Sequence, residues 1–225
     1  MPEALSPRVA NLNVVLCSTE PRLARAYAEI AHDFPGWVDG GQASITELDV
    51  DAVVSPANSF GFMDGGLDAH YLATFGPHVQ HAARSAVLYR HDGELPVGVA
   101  DIVSTDHQSI PYLIIAPTMR VPMQLPRDTV NPYLAARAVL RLIERQVFPE
   151  GPRARAPIRD VVRRVAIPGL GTGVGRVAPD VCARQVRAAL RWACGQITLP
   201  QSWADASYDH QVLYTDAPGR LQPPR

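Results

Sequence analysis

Residues 55–68 read SPANSFGFMDGGLD and carry an amide, two acids and paired glycines directly after an apolar run. The stretch has neither helical nor strand periodicity along its length, so we predict a loop. Asn58 supplies both a hydrogen-bond donor and an acceptor. Gly65 and Gly66 let the backbone approach a ligand and can open a helix at Leu67.

Asp68 falls in the first turn of that helix, where a buried carboxylate could hold a sugar hydroxyl or activate water. The alternative is that Asp64 and Asp68 only stabilise the start of the helix through its dipole. His70 follows Asp68 so closely that its side chain is expected to point elsewhere on the helix. The cluster of His70, His78 and His81 lacks a cysteine or carboxylate at ligand spacing, so no metal site is predicted.

A second glycine-rich segment, PGLGTGVGR at residues 168–176, places a glycine at every other position from 169 to 175. It contains neither a GxGxxG dinucleotide pattern nor a Walker lysine. One interpretation is a diphosphate cradle built from backbone amides ahead of a helix, with Thr172 as an added hydroxyl donor. The other is a tight strand-to-helix connection that needs glycine for its turn geometry. The presence of two such loops favours the ligand interpretation.

Apolar runs alternate with helical patterns along the chain, which predicts an α/β domain with a largely parallel sheet. Strands are expected at residues 13–17, 43–48, 50–54, 97–105 and 112–118, and a sixth strand is expected to end at residue 167. Helices are expected at residues 18–34, 67–76, 78–90, 131–148 and 178–194. Both glycine-rich loops then follow strands, and ligands of such folds lie at the carboxyl ends of strands.

The predicted domain covers residues 1–195. Residues 196–225 form a C-terminal extension, in which 203–215 holds one edge strand or a loop and 217–225 is a flexible tail.

The bulk composition excludes several classes of function. The chain has 225 residues and a formal net charge of -1, which suits one α/β domain and gives no electrostatic case for nucleic acid or an anionic membrane. All the basic residues are arginine, a bias typical of a GC-rich bacterial genome, so lysine Schiff-base chemistry is impossible. The three cysteines form no CxxC pair, and the N-terminus shows no signal-peptide pattern. These features predict a soluble, cytoplasmic protein.

The segment VDAVVSPANSFGFMDGGLDAHYLATFG, residues 50–76, resembles the macro domain family. Members carry V-D-A-I-V-N-A-A-N, then a glycine-rich loop, then G-G-V-D and a helix. The resemblance resumes at YLIIAPT (112–118) and at IPGLGTGVG (167–175). It implies a three-layer α/β/α fold with a mixed, mostly parallel sheet and a cleft for ADP-ribose. The first loop would approach the distal ribose, and the second would wrap the diphosphate.

The resemblance also assigns roles to individual residues. Asn58 would hold the distal ribose and Asp68 would orient or activate the attacking water. The ligand-binding positions that it implies are Ser44, Ile45, Ala57, Asp64, Gly65, Gly66, Leu67, Pro117, Gly169, Leu170, Gly171, Thr172, Gly173, Val174 and Gly175.

Four positions depart from the family pattern. Ser55 replaces the first asparagine of N-A-A-N, and Ser44 replaces the acid that binds the adenine amino group, which a hydroxyl accepts less strongly. The second loop lacks the aromatic that usually follows its core, because Gly175 comes directly after Val174. Asp64 stands where many members have glycine, and it could repel diphosphate, bind a ribose hydroxyl or act as a second acid.

The resulting hypothesis is a hydrolase of an ADP-ribosyl ester, either ADP-ribosylated Asp or Glu or O-acetyl-ADP-ribose. The alternative is a non-catalytic reader of ADP-ribose or a related nucleotide. A third possibility is an accessory role in a phage or conflict system with another phosphorylated ligand. No cofactor, nucleic acid or membrane partner is expected, and the sequence leaves the oligomeric state open.

Overall fold

A computed structural model of the protein describes residue 9 and residues 11–195 and 199–222. In that part of the chain the strands are β1 (Asn13–Ser18), β2 (Val38–Gln42), β3 (Ala52–Ser55), β4 (Asp101–Ser104), β5 (Tyr112–Ile115) and β6 (Arg164–Ile167). The α-helices there are α1 (Pro21–Asp33), α2 (Gly66–Phe75), α3 (His78–Arg90), α4 (Asn131–Arg145), α5 (Pro179–Ala193) and α6 (Trp203–Gln211). Short 3₁₀ turns occur at Ile45–Glu47 and Ile158–Asp160.

The strands form one sheet in the order β2-β1-β6-β3-β5-β4. Every neighbouring pair is parallel except β4 and β5, which run antiparallel with Asp101 opposite Ile115. The predicted mixed, mostly parallel sheet is therefore confirmed. Its parallel strands bring their carboxyl ends to one edge, where the glycine-rich loops follow β3 and β6.

Helices cover both faces of the sheet because successive side chains of each strand point to opposite faces. In β1, Val14 and Leu16 join a core with α1, α4 and α5, whereas Val15 and Cys17 join a core with α2 and α3. The expected three-layer α/β/α architecture is confirmed. No helix of the described ranges is both long and apolar enough to cross a membrane.

The strand predicted over 43–48 is wrong. Residues Ile45–Glu47 form a 3₁₀ turn, and the edge strand is the glycine-containing segment Val38–Gln42 just before it. A Cβ atom at Gly40 would lie 2.2 Å from the carbonyl oxygen of Tyr27 in α1. Glycine is required in this strand because helix α1 packs directly against its backbone, a tertiary demand that local sequence patterns do not reveal.

The C-terminal segment also differs from the prediction. It forms helix α6 rather than an edge strand or loop, and the Ser202 hydroxyl caps it by accepting the backbone N–H of Asp205 at 3.1 Å. The side-chain amide of Gln211, the buried last residue of α6, donates to the Gly219 carbonyl and accepts the Gly219 N–H. The domain boundary at residue 195 stays a prediction. Residues 1–8, 10, 196–198 and 223–225 lie outside the described residues.

Candidate functional site

A cleft of about 560 Å³ opens at the carboxyl edge of the sheet. Its walls are the end of β1, the loop after β3 with the start of α2, and the loop after β6. Small-molecule sites typically occupy roughly 300–1,000 Å³. The cleft therefore has the location and size expected of a ligand site in an open α/β sheet.

Most of the predicted positions line this cleft: Ser44, Ile45, Ala57, Asn58, Asp64, Gly65, Gly66, Leu67, Asp68, Gly169, Gly171, Thr172, Gly173, Val174 and Gly175. Two predicted positions are buried in the protein instead. Leu170 is fully buried in the core shared with α1, α4 and α5. Pro117 is buried as well, as are the residues on either side of it. Thr118 and Met119 contribute to the lining after β5 in place of Pro117.

Asp68 is a buried carboxyl group at the start of α2, with an exposed fraction of 8%. The Ser55 hydroxyl, at the end of β3, donates a hydrogen bond of 2.5 Å to Asp68 Oδ1. Burial raises the pKa of Asp68 from 3.8 to about 6, the Ser55 hydrogen bond opposes the shift, and the charge of Asp64 adds to it. A helix dipole alone would lower this pKa. Burial therefore outweighs the Ser55 hydrogen bond and the helix dipole, which both favour the charged form.

The contact between Ser55 and Asp68 was missed by the sequence interpretation, which treated Ser55 only as a departure from the family pattern. The sequence position of Ser55 could have indicated this contact, because Ser55 ends a buried strand at the same edge of the sheet as Asp68. The hydroxyl fixes one carboxylate oxygen and leaves the other oxygen of Asp68 for a ligand or water.

The side-chain amide of Asn58 makes hydrogen bonds within its own loop. Its Nδ2 donates to the carbonyl of Phe62 at 2.8 Å, and its Oδ1 accepts the backbone N–H groups of Phe60 at 3.1 Å and Phe62 at 3.3 Å. Asn58 lines the cleft, but these contacts hold the loop rather than leaving the amide oxygen open to a sugar.

The glycines of the second loop have different structural reasons. At Gly169 an added Cβ atom would lie 2.4 Å from Thr172 Oγ1, and at Gly175 it would lie 2.5 Å from the carbonyl oxygen of Gly171. Gly171 itself has a φ of +68°. No atom lies within 4 Å of a Cβ placed at Gly173. Turn geometry thus explains three of these glycines, and Gly173 is the one that packing within the protein leaves unexplained.

The second loop, rather than the helix after it, faces the cleft. In the described part of the chain the lining ends at Gly175, ahead of α5, whose N-cap is Ala178 and whose first residue is Pro179. The first loop differs, because Gly65 is the N-cap of α2 and makes no side-chain capping bond. The N-terminal amides that border the cleft therefore belong to α2.

The side chains of Ser44, Thr46 and His70 form a chain of polar contacts, and Ser44 and His70 line the cleft. Ser44 Oγ is 3.4 Å from Thr46 Oγ1, which is 2.8 Å from His70 Nε2. His70 lines the same cleft as Asp68, contrary to the expectation that it points elsewhere, because the cleft extends along the side of α2 as well as its start. Among the described residues, no three His, Cys, Asp or Glu side chains are grouped to hold a metal ion.

Comparisons with known protein sequences match this chain to one family. The family model for the Macro domain matches residues 54–186. An uncharacterised protein of Aquifex aeolicus is 34% identical over 150 residues, which cover 67% of this chain and 78% of that protein. A protein of Cupriavidus necator, described as a macro domain-containing protein in the gbd 3' region, is 29% identical over 65% of this chain and 78% of its own length.

Solved structures show the same fold at lower identity. The Oceanobacillus iheyensis macrodomain, in a structure with ADP, has a TM-score of 0.54 and 18% identity over 76% of this chain and 87% of that one. The macrodomain of Mycobacterium tuberculosis DarG has a TM-score of 0.51 and 21% identity over 69% of this chain and 88% of that one. Since the family model spans more than half of the sequence, the chain belongs to the macro domain family.

Proposed function

We propose that the protein binds ADP-ribose in the cleft and hydrolyses an ADP-ribosyl ester, either on Asp or Glu side chains or as O-acetyl-ADP-ribose. The observation that carries this proposal is Asp68, a buried carboxyl with a pKa of about 6 at the wall of the cleft. Structures of the Oceanobacillus iheyensis macrodomain are described with ADP and, for a mutant, with ADPR. They support the ligand class.

Backbone amides would carry the binding of the diphosphate. The exposed backbone at Gly173 and the start of α2 at Gly65, which has no side-chain cap, both line the cleft. Unpaired N–H groups at a helix N-terminus and in a glycine-rich loop favour anions. This arrangement neutralises a diphosphate without lysine, which the chain lacks.

Asp68 would act on water at the ester. Above its pKa of about 6 the group is a carboxylate held on one oxygen by Ser55. The free oxygen accepts a proton from water while the water oxygen attacks the ester linkage. The ester bond then breaks as Asp68 returns the proton to the departing oxygen, and ADP-ribose and the carboxylic acid leave as separate products.

A non-catalytic reader remains the second candidate, and one observation favours it. The hydrogen bonds of Asn58 within its loop occupy the amide oxygen that would accept a sugar hydroxyl. A reader needs the cleft and its amides but not the basicity of Asp68. Turnover, rather than affinity, therefore separates the two functions.

The test measures both. Calorimetry compares ADP-ribose with ATP, NAD and AMP, and a release assay follows ADP-ribose from protein modified on Asp or Glu and acetate from O-acetyl-ADP-ribose. Micromolar affinity for ADP-ribose with release of product supports the hydrolase, and affinity without release supports the reader. If ADP-ribose binds no better than millimolar, both proposals fail.

Asp64 provides a prediction on pH. Its exposed side chain lines the cleft, and its charge raises the pKa of Asp68. In Asp64→Asn the pKa of Asp68 should fall, so the acidic limb of the pH profile of kcat should move to lower pH. ADP-ribose should also bind more tightly, because a negative charge near the diphosphate is removed. Rate profiles between pH 4.5 and 8 measure the first effect, and calorimetry measures the second.

Asp128→Asn is the matched control, because Asp128 is exposed outside the cleft lining. It should leave the profile where it is. An acidic limb that stays in place in Asp64→Asn, or moves upward, contradicts a role for Asp68 as the titrating base.

A further inference from the structure

Phe62 is an aromatic wall of the cleft that the predicted site did not include. The residue is 46% exposed and lines the cleft. In the described part of the chain it is the only Phe, Tyr or Trp in the lining, and the second loop, residues 168–176, has no aromatic residue. A single exposed phenylalanine needs no explanation on a protein surface. The contacts around Phe62, however, hold it in place.

The side chain of Asn58 binds both the N–H and the carbonyl group of the Phe62 backbone. Asn58 Oδ1 accepts the Phe62 N–H at 3.3 Å, and Asn58 Nδ2 donates to the Phe62 carbonyl at 2.8 Å. The next residue, Met63, is buried, and its N–H donates to Gln80 Oε1 at 2.7 Å. The loop therefore cannot turn Phe62 into the core without breaking these bonds.

The ring of Phe62 is held from one side. The guanidinium carbon of Arg84 lies 4.1 Å from the ring centroid, and Arg84 Nη1 donates to the Phe60 carbonyl at 3.3 Å. Stacking of a guanidinium on an aromatic face stabilises the pair. Arg84 occupies one face of the ring, which leaves the other face for a molecule bound in the cleft that Phe62 lines.

We propose that Phe62 is the apolar wall of the sugar subsite and that Asn58 is a positioning residue that acts through it. This proposal rests on the proposed binding of ADP-ribose. The sugar is the favoured occupant because Phe62 belongs to the loop that leads to Asp68, the group proposed to act at the sugar ester. The chain of Ser44, Thr46 and His70 supplies polar groups elsewhere in the cleft. A ribose presents an apolar C–H face, which gains free energy when an aromatic ring removes it from water.

A double-mutant cycle tests this assignment by calorimetry with ADP-ribose. Phe62→Ala should weaken binding about 10-fold, Phe62→Tyr should stay within about 2-fold of the unmodified protein, and Asn58→Ala should match Phe62→Ala. The double variant should bind no more weakly than the weaker single variant, because both substitutions remove the same wall. Tyr89→Ala, which removes an 80% exposed ring outside the cleft lining, is the control and should bind normally.

Two results overturn the inference while leaving the proposed function intact. One is normal binding by Phe62→Ala. The other is a loss in the double variant of about 100-fold, the product of the single losses, which would mean that Asn58 contacts the sugar directly. Failure of the unmodified protein to bind ADP-ribose overturns both proposals. If Asn58→Ala does not fold, as judged by its melting temperature, the comparison of Phe62→Ala with Phe62→Tyr decides the role of the ring.

Discussion

Replacement of Asp68 by asparagine is expected to lower turnover of an ADP-ribosyl ester by about 100-fold or more, with affinity for ADP-ribose nearly unchanged. General base catalysis typically contributes about 10²- to 10⁴-fold. Asparagine keeps the size of the side chain and can still accept the hydrogen bond from Ser55, but it cannot take a proton from water. The loss should therefore appear in kcat. Single-turnover release of ADP-ribose measures it, and calorimetry measures the retained binding.

The same substitution should stabilise the protein at neutral pH. The fold raises the pKa of Asp68 from 3.8 to about 6, so the folded state binds more protons than the unfolded state between these values. The stability associated with the protonated group is complete below pH 3.8 and is lost as pH rises through about 6. The loss amounts to about 3 kcal/mol at 1.36 kcal/mol per pKa unit. Asp68→Asn removes it, so its melting temperature should exceed that of the unmodified protein at pH 7.5 and match it near pH 3.5.

Asp128→Asn serves as the control for both measurements, because it removes an exposed aspartate outside the cleft lining. It should change neither kcat nor the pH dependence of stability. Normal turnover by Asp68→Asn would refute the proposed mechanism and leave the reader. A melting temperature that does not rise at pH 7.5 would mean that the burial of the Asp68 charge costs little.

The sequence predicted the features that depend on nearby residues. The glycine pair and Asp68 lie at the start of one helix, and both ends of that helix fall within one residue of the prediction. The same holds for most of the buried strands, whose apolar runs are local. These features also carry the family resemblance, and for this reason most of the site residues were predicted.

The features that escaped prediction depend on contacts between distant or irregular parts of the chain. Gly40 reads in the sequence as a break in a local pattern. In the structure it lies in a strand, and the absence of a Cβ atom lets the backbone of Tyr27 in α1 pack against that strand. The hydrogen bond between Ser55 and Asp68 joins a strand end to a helix start across an irregular loop. Asn58 was expected to face a ligand because its type suits one, whereas the loop folds back on its amide. Periodicity carries no information on any of these three contacts.

Alanine substitutions in the second loop should separate glycines needed for the turn from the glycine needed for the ligand. In Gly175→Ala the new Cβ would lie 2.5 Å from the Gly171 carbonyl oxygen. Because that contact is with backbone, the loop must shift. We expect a destabilisation of about 1–3 kcal/mol and a loss of ADP-ribose affinity of at least about 10-fold. Chemical denaturation and calorimetry measure the two effects.

Gly173→Ala should behave differently. No atom lies within 4 Å of its Cβ position, and no positive φ constrains it, so stability should be unchanged. If the amides of this loop approach a diphosphate, the added methyl group stands in the way, and ADP-ribose affinity should fall about 10-fold. The fall in affinity without a fall in stability is the distinguishing result.

Gly41→Ala is the control for Gly173→Ala. Gly41 also has no atom within 4 Å of its Cβ position, but it lies in the edge strand β2, outside the cleft lining. Both stability and affinity should stay normal. If Gly173→Ala also binds ADP-ribose normally, the loop is only a tight connection between β6 and α5, and the anion must be held elsewhere. If its affinity falls alone, the position that packing leaves unexplained is where the ligand meets the backbone.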